Sequence, residues 1–85
     1  MIAAIGSDGT RPVVWGVGRT ERSARRDAES GGGDARCCVE VDRATVARIR
    51  RGEIHCAALG ILVTISRNGE WTASVEVRSD SSRSW

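Results

Sequence analysis

The chain has 85 residues, a mass of 9.1 kDa and a formal net charge of +2 at pH 7. Hydrophobic residues make up 40% and charged residues 28%, which is a globular balance. This length and composition exclude a multidomain enzyme, a coiled coil and a collagen-like repeat. All basic residues are arginine, and so small a net charge does not by itself predict nucleic-acid binding.

Cysteine usage and the absence of targeting signals predict the compartment. The three cysteines are Cys37, Cys38 and Cys56, and an odd number suits a reducing compartment better than a disulfide framework. The first six residues lack the basic region of a signal peptide. No stretch approaches the ~18 apolar residues that a membrane helix needs. We therefore expect a cytoplasmic protein without a membrane partner.

The first half of the chain predicts a hairpin followed by a helix. Strands over 2–6 and 12–18 flank the turn residues Ser7-Asp8-Gly9, and Pro12 suits the first position of a strand. Thr20 is a good N-cap for a helix over 21–29 whose only apolar stripe is Ala24 and Ala28. Glycines within 30–34 end that helix.

The second half predicts a strand, a helix and a second hairpin. Alternation over 35–41 puts Cys37 on the buried face and Cys38 on the exposed one. Asp42 caps a helix over 43–51, and 53–59 is a loop or a short helix. Strands over 61–66 and 71–77 pair through a three-residue loop with a left-handed Gly69. That register places Ile65 opposite Trp71, Val63 opposite Ala73 and Ile61 opposite Val75, which makes one face apolar.

The element order is therefore β-β-α-β-α-β-β, and the predicted class is α+β. We expect a single sheet of about five strands with two helices packed on one face. The connection through the first helix suits a parallel crossover, although an antiparallel return stays open. One domain should cover 1–78, followed by a disordered, serine-rich tail over 79–85.

Four patterns have the residue types of known sites, but each departs from the pattern it suggests. Gly16 and Gly18 precede the first helix as in a dinucleotide fingerprint, yet Glu21 replaces the third glycine. Residues 44–53 resemble the recognition helix of helix-turn-helix repressors, but a strand precedes them. Adjacent Cys37 and Cys38 lack zinc-ligand spacing, and His55 beside Cys56 has no orienting partner. We therefore expect no enzyme, cofactor, metal or small-molecule ligand.

These exclusions favour a small binding or regulatory protein that acts through a protein–protein surface, and a homodimer through sheet edges is one form of it. Trp15 is a candidate anchor for a partner, although core packing would explain it equally well. The alternative is nucleic-acid binding by helical arginines, which would form one basic surface if both helices shared a sheet face. The helical arginines are Arg22, Arg25 and Arg26 on the helix 21–29, and Arg43, Arg48, Arg50 and Arg51 on the helix 43–51. The candidate contact residues among them are Arg22, Arg25, Arg26, Arg48 and Arg51.

Overall fold

Seven elements follow one another in the predicted order. The computed structural model describes residues 1–76. Its elements are β1 (Ile2–Ser7), β2 (Pro12–Gly18), α1 (Glu21–Ser30), β3 (Cys37–Glu40), α2 (Arg43–Arg50), β4 (Ile61–Ile65) and β5 (Trp71–Val75). The α+β class and the element order are thus confirmed. The predicted extension of the last strand to Val77, the domain end at 78 and the disordered tail lie outside the described residues.

The five strands form two sheets rather than the single sheet that we expected. Strands β2, β1 and β3 form one sheet with β1 in the centre, and β4 pairs with β5 in the other. Both neighbours of β1 are antiparallel to it, so β2 and β3 run parallel and α1 makes a parallel crossover between them. Alternating hydrophobicity identifies strands but does not say which distant strands share a ladder, so the division into two sheets is not visible in the pattern.

A β-bulge at Trp15 sets the two faces of β2. Ala4 pairs with Gly16 while Ile5 pairs with Val14, so Trp15 is the extra residue. The insertion changes the side-chain alternation. As a result Val14 and Val17 contact the same hydrophobic cluster although they are three residues apart.

Helix α1 packs closely on one face of the three-stranded sheet. Ala24 and Ala28 contact Ala4 in a small cluster. The helix can approach this closely because Gly16 has no Cβ; a Cβ there would lie only 2.4 Å from the backbone nitrogen of Ala28. The predicted N-cap is confirmed, since the Thr20 side chain accepts a hydrogen bond from the backbone N–H of Ser23. Gly16, one of the two glycines that precede α1, therefore allows the helix to pack closely against β2.

Helix α2 lies on the opposite face of that sheet, together with the β4–β5 hairpin. Val46 of α2 belongs to the main core, which also holds Ala3, Ile5 and Ile61. The placement of both helices on one face is therefore corrected. An apolar stripe shows which side of a helix is buried, but it does not show which face of the sheet receives it.

The segment after α2 completes the core and lies along β2. The backbone N–H of Val14 donates to the carbonyl of Ile54 at 2.8 Å, and that of Cys56 donates to Pro12 at 3.3 Å. His55 thereby forms an isolated bridge with Val13. Residues 53–59, predicted as a loop or a short helix, thus form a series of turns that covers part of the β2 edge.

The register of the β4–β5 hairpin is confirmed. Ile65 pairs with Trp71, Val63 with Ala73 and Ile61 with Val75. Gly69 has a φ of +84°, as the predicted bulged turn requires.

Candidate protein-interaction site

Trp15 is half-buried beneath the loop that follows α1. Its ring lies so close to Gly33 that a Cβ there would be 2.4 Å from the ring, and Gly6 is almost as near. The indole N–H donates to the carbonyl of Ser7 at 3.3 Å. These contacts match the packing role that we considered beside the anchor role for Trp15.

The predicted arginines of α1 lie among acidic neighbours. Arg22, Arg25 and Arg26 line a shallow groove that Glu21 and Glu29 also line. Arg25 forms an ion pair with Glu21 at 3.2 Å, and it also donates to the carbonyl of Ala35 at 3.2 Å. The charge of this helix face is therefore mixed.

The predicted arginines of α2 lie on a different part of the molecule. Arg48 donates to the carbonyl of Ala58 at 2.9 Å, and Arg51 is the exposed C-cap of the helix. Because α1 and α2 lie on opposite faces of the three-stranded sheet, the two arginine sets do not form the single basic surface that we considered.

The outer edge of β4 presents unpaired backbone groups. The backbone N–H of Ser66 donates to Glu70 at 2.8 Å, and that of Glu76 donates to Gly60 at 2.7 Å. Hydrogen-bonded and non-hydrogen-bonded pairs alternate along an antiparallel ladder. The backbone groups of Val63 and Ile65 therefore point away from β5. Within residues 1–76, neither the N–H of Val63 nor that of Ile65 donates a hydrogen bond to a backbone acceptor outside the hairpin.

Exposed apolar side chains accompany this edge. Of the described residues, the exposed large hydrophobics are Leu62 at 54%, Ile65 at 53% and Val75 at 41%, and all three belong to the β4–β5 hairpin. Strand β5 is the one that lies beside β3, so β4 forms the far side of the hairpin. Strand β4 also contains no charged residue and no proline. Both are common means of protecting an edge strand from pairing.

The cysteines are separated by the sheet. Cys37 and Cys56 lie in the main core, whereas Cys38 packs against the α1 cluster. The prediction that Cys38 is exposed is therefore corrected, because α1 covers that face of β3. Burial raises the pKa of the Cys56 thiol to about 11, and burial also raises the pKa of Cys38. A nucleophilic thiol needs the opposite shift.

The remaining motifs take structural positions. Strand β3 precedes α2, so the helix-turn-helix resemblance lacks its first helix. In the His55–Cys56 motif, Nδ1 of His55 lies 3.8 Å from Oε1 of Glu53. Residues 1–76 contain no group of three or more His, Cys, Asp or Glu side chains that could hold a metal ion. In the same range no helix has the length and apolar character needed to cross a membrane.

Comparisons with protein-family models, with curated proteins and with solved structures each find no match for this chain.

Proposed function

We propose that this protein is a small binding module that takes up an extended strand of a partner polypeptide along the outer edge of β4. The observation that carries the proposal is the unpaired backbone row at Val63 and Ile65, which lies beside exposed apolar side chains. In recognition by strand addition, backbone hydrogen bonds supply affinity and alternate side chains supply specificity.

The side chains of β4 indicate the chemistry of the partner strand. Val63 and Ile65 lie on one face of the hairpin, while Leu62 and Thr64 lie on the other. A partner with apolar residues at alternate positions would extend the face of Val63 and Ile65. Each backbone hydrogen bond gained would contribute about 0.5–1.5 kcal/mol, and burial of Ile65 and Leu62 would add to that.

The proposal is tested with Ile65→Pro, which removes one outward amide. The Ile65 side chain is exposed and its N–H does not bond to β5, so proline should leave the hairpin intact. We expect partner affinity to fall by about tenfold or more, which corresponds to roughly 1.4 kcal/mol. The matched control is Ile65→Ala, which shortens the side chain but keeps the amide. It should weaken binding less.

The partner is sought with the tagged protein in lysate of the source cells, treated with nuclease and washed at high salt. Capture alone does not count as support. The bound partner must also slow hydrogen exchange at the amides of Val63 and Ile65. Equal binding by wild type and Ile65→Pro, or protection only at other sites, would overturn the proposal.

Sedimentation of the protein alone separates a second copy of this chain from a different polypeptide. Self-association that Ile65→Pro abolishes would make the partner strand β4 of another copy, in keeping with the homodimer considered from the sequence.

Nucleic-acid binding by the helical arginines stays the alternative prediction. Phosphate contacts weaken steeply as salt rises, whereas an apolar interface changes little. If nucleic acid were retained and lost only at high salt, Arg48→Glu combined with Arg51→Glu should abolish it. Unchanged nucleic-acid affinity in that double variant would contradict this alternative.

A further inference from the structure

Three arginines from two separate parts of the sequence come together at one end of the three-stranded sheet. Ile2 pairs with Gly18, so the next residues, Met1 and Arg19, lie beside each other beyond the ladder. The backbone N–H of Val41 donates to the carbonyl of Met1 at 2.8 Å. Because α2 begins two residues after Val41, its first turn is carried to the same end of the sheet.

These residues surround a concavity of about 380 Å³, lined by Arg19, Arg43, Arg50, Met1 and Val46. This volume is at the lower end of the range for small-molecule sites, roughly 300–1,000 Å³. Arg43 and Arg50 are two turns apart on α2, and they flank Val46, which is buried. The wall is therefore cationic and part of the floor is apolar.

The three guanidinium groups have no carboxylate partner within residues 1–76. The ion pairs formed there involve other arginines, Arg25 and Arg36, and His55. Glu40 and Asp42 line a neighbouring concavity that also includes Met1. Asp42 is engaged in accepting a hydrogen bond from the backbone N–H of Thr45 at 2.8 Å, as the N-cap of α2.

The position of Arg43 adds to the concentration of positive charge. It is the first residue of α2, and the first turn of that helix contains no acidic residue. A cation at a helix N-terminus is unfavourable because the helix dipole is positive there. An anion bound among the three arginines would relieve this repulsion.

We propose that the cluster of Arg19, Arg43 and Arg50 binds a phosphate group. Guanidinium groups match phosphate oxygens with paired hydrogen bonds, and the side chains of Met1 and Val46 offer a surface for the organic part of a phosphate ester. Arg43 and Arg50 are among the helical arginines considered for nucleic acid, whereas Arg19 is not, and the cluster is separate from the β4 edge. The proposal therefore does not depend on the proposed function.

The test compares two double variants that remove the same charge. Arg43→Gln with Arg50→Gln alters the cluster, and Arg22→Gln with Arg26→Gln alters the exposed face of α1. Glutamine keeps much of the aliphatic stem, and unfolding of each variant without ligand checks that it folds. Inorganic phosphate, adenosine monophosphate and a short single-stranded DNA are titrated by calorimetry at low salt.

We expect wild type and the α1 variant to bind phosphate-containing probes, and the cluster variant to bind about tenfold more weakly or not at all. Ligand should also raise the unfolding temperature of the first two proteins only. Binding of all three probes at the cluster identifies the phosphate group as the determinant. Tight binding of DNA alone assigns a nucleic-acid backbone as its source. Equal weakening in both double variants, or no binding of any probe to wild type, would overturn the proposal.

Discussion

Gly16 lies where the backbone of α1 meets β2. A Cβ at this position would be 2.4 Å from the backbone nitrogen of Ala28 and 2.7 Å from the carbonyl oxygen of Ala24. Backbone atoms cannot rotate away as a flexible side chain can, so Gly16→Ala must displace the helix. We expect a loss of about 1–3 kcal/mol in the free energy of unfolding, measured by denaturant titration.

Gly31→Ala is the matched control for Gly16→Ala. Gly31 has a φ of −85°, and an added Cβ would lie 3.7 Å from the carbonyl oxygen of Ala28, which is ordinary van der Waals contact. Alanine there should be neutral or stabilise the protein by up to about 1 kcal/mol, because it restricts the unfolded chain. Equal destabilisation by the two substitutions would contradict the close approach of α1 to β2.

Asp8 makes the turn between β1 and β2 sensitive to acid. Its carboxylate accepts hydrogen bonds from the backbone N–H groups of Arg11 and Thr10. These bonds lower the pKa of Asp8 from 3.8 to about 2. Because the folded pKa is depressed, the stabilisation is present above pH 3.8 and is lost as the pH falls toward 2.

An NMR titration of the Asp8 carboxyl group should therefore give a pKa near 2. Wild type should be more stable than Asp8→Asn above pH 3.8, and the difference should narrow toward pH 2. An Asp8 pKa near 3.8 in the folded protein would mean that these hydrogen bonds do not persist in solution.

At the scale of elements, the turn of the β4–β5 hairpin depends on the left-handed conformation of Gly69. Among residues 1–76, no atom beyond the two chain neighbours of Gly69 lies within 4 Å of the position of an added Cβ, and the φ is +84°. A substitution therefore costs backbone strain rather than a clash. Gly69→Ala should destabilise the protein by roughly 1–2 kcal/mol. Gly69→Asn should cost less because asparagine tolerates this region better. Similar losses for both would show that the turn has another geometry.

Face matching explains why the register of this hairpin could be predicted. Only the three-residue loop brings Ile65, Val63 and Ile61 opposite apolar residues, and a shift by one residue would mix the faces. The bulge at Trp15 could not be read in the same way. In the structure Val14 and Val17 share a face although they are three residues apart, which is an odd spacing. In the sequence the same two valines fit a regular strand as well as a bulged one.

The arginine cluster also has a trace in the sequence. Arg43, Val46 and Arg50 follow the spacing of one helix face. Arg19 lies in a loop, and its approach to α2 depends on the pairing of Ile2 with Gly18. Contacts between residues so far apart in sequence depend on the ladder and on the face to which α2 packs, and neither is contained in a local pattern.

At the scale of the molecule, three layers result from the placement of the helices. Helix α1 covers one face of the three-stranded sheet, while α2 and the β4–β5 hairpin cover the other. Local alternation and capping predict the elements, but the two-sided arrangement results from competition among apolar faces for the same sheet. It leaves β4 on the far side of the hairpin from β3, which is the basis of the proposed strand addition.

Side-chain packing attaches the hairpin to the rest of the molecule, since no strand ladder joins the two sheets within residues 1–76. Trp71 packs against the main core, and the Arg36 guanidinium lies 5.7 Å from the centre of its ring. Trp71→Ala should therefore release the hairpin in preference to the sheet. We expect a loss of about 2 kcal/mol, less than for a fully buried tryptophan because Trp71 is half-buried.

Native-state hydrogen exchange would show whether the hairpin opens as a separate unit. In Trp71→Ala, amides of Leu62 and Thr64 that bond to β5 should exchange faster, while β1 amides, held between two strands, should change less. Arg36→Ala removes only the cation over the ring and should cost about 0.5–1 kcal/mol. If β1 amides lost protection as much as those of β4, both sheets would unfold together and strand addition at β4 would be coupled to the stability of the whole protein.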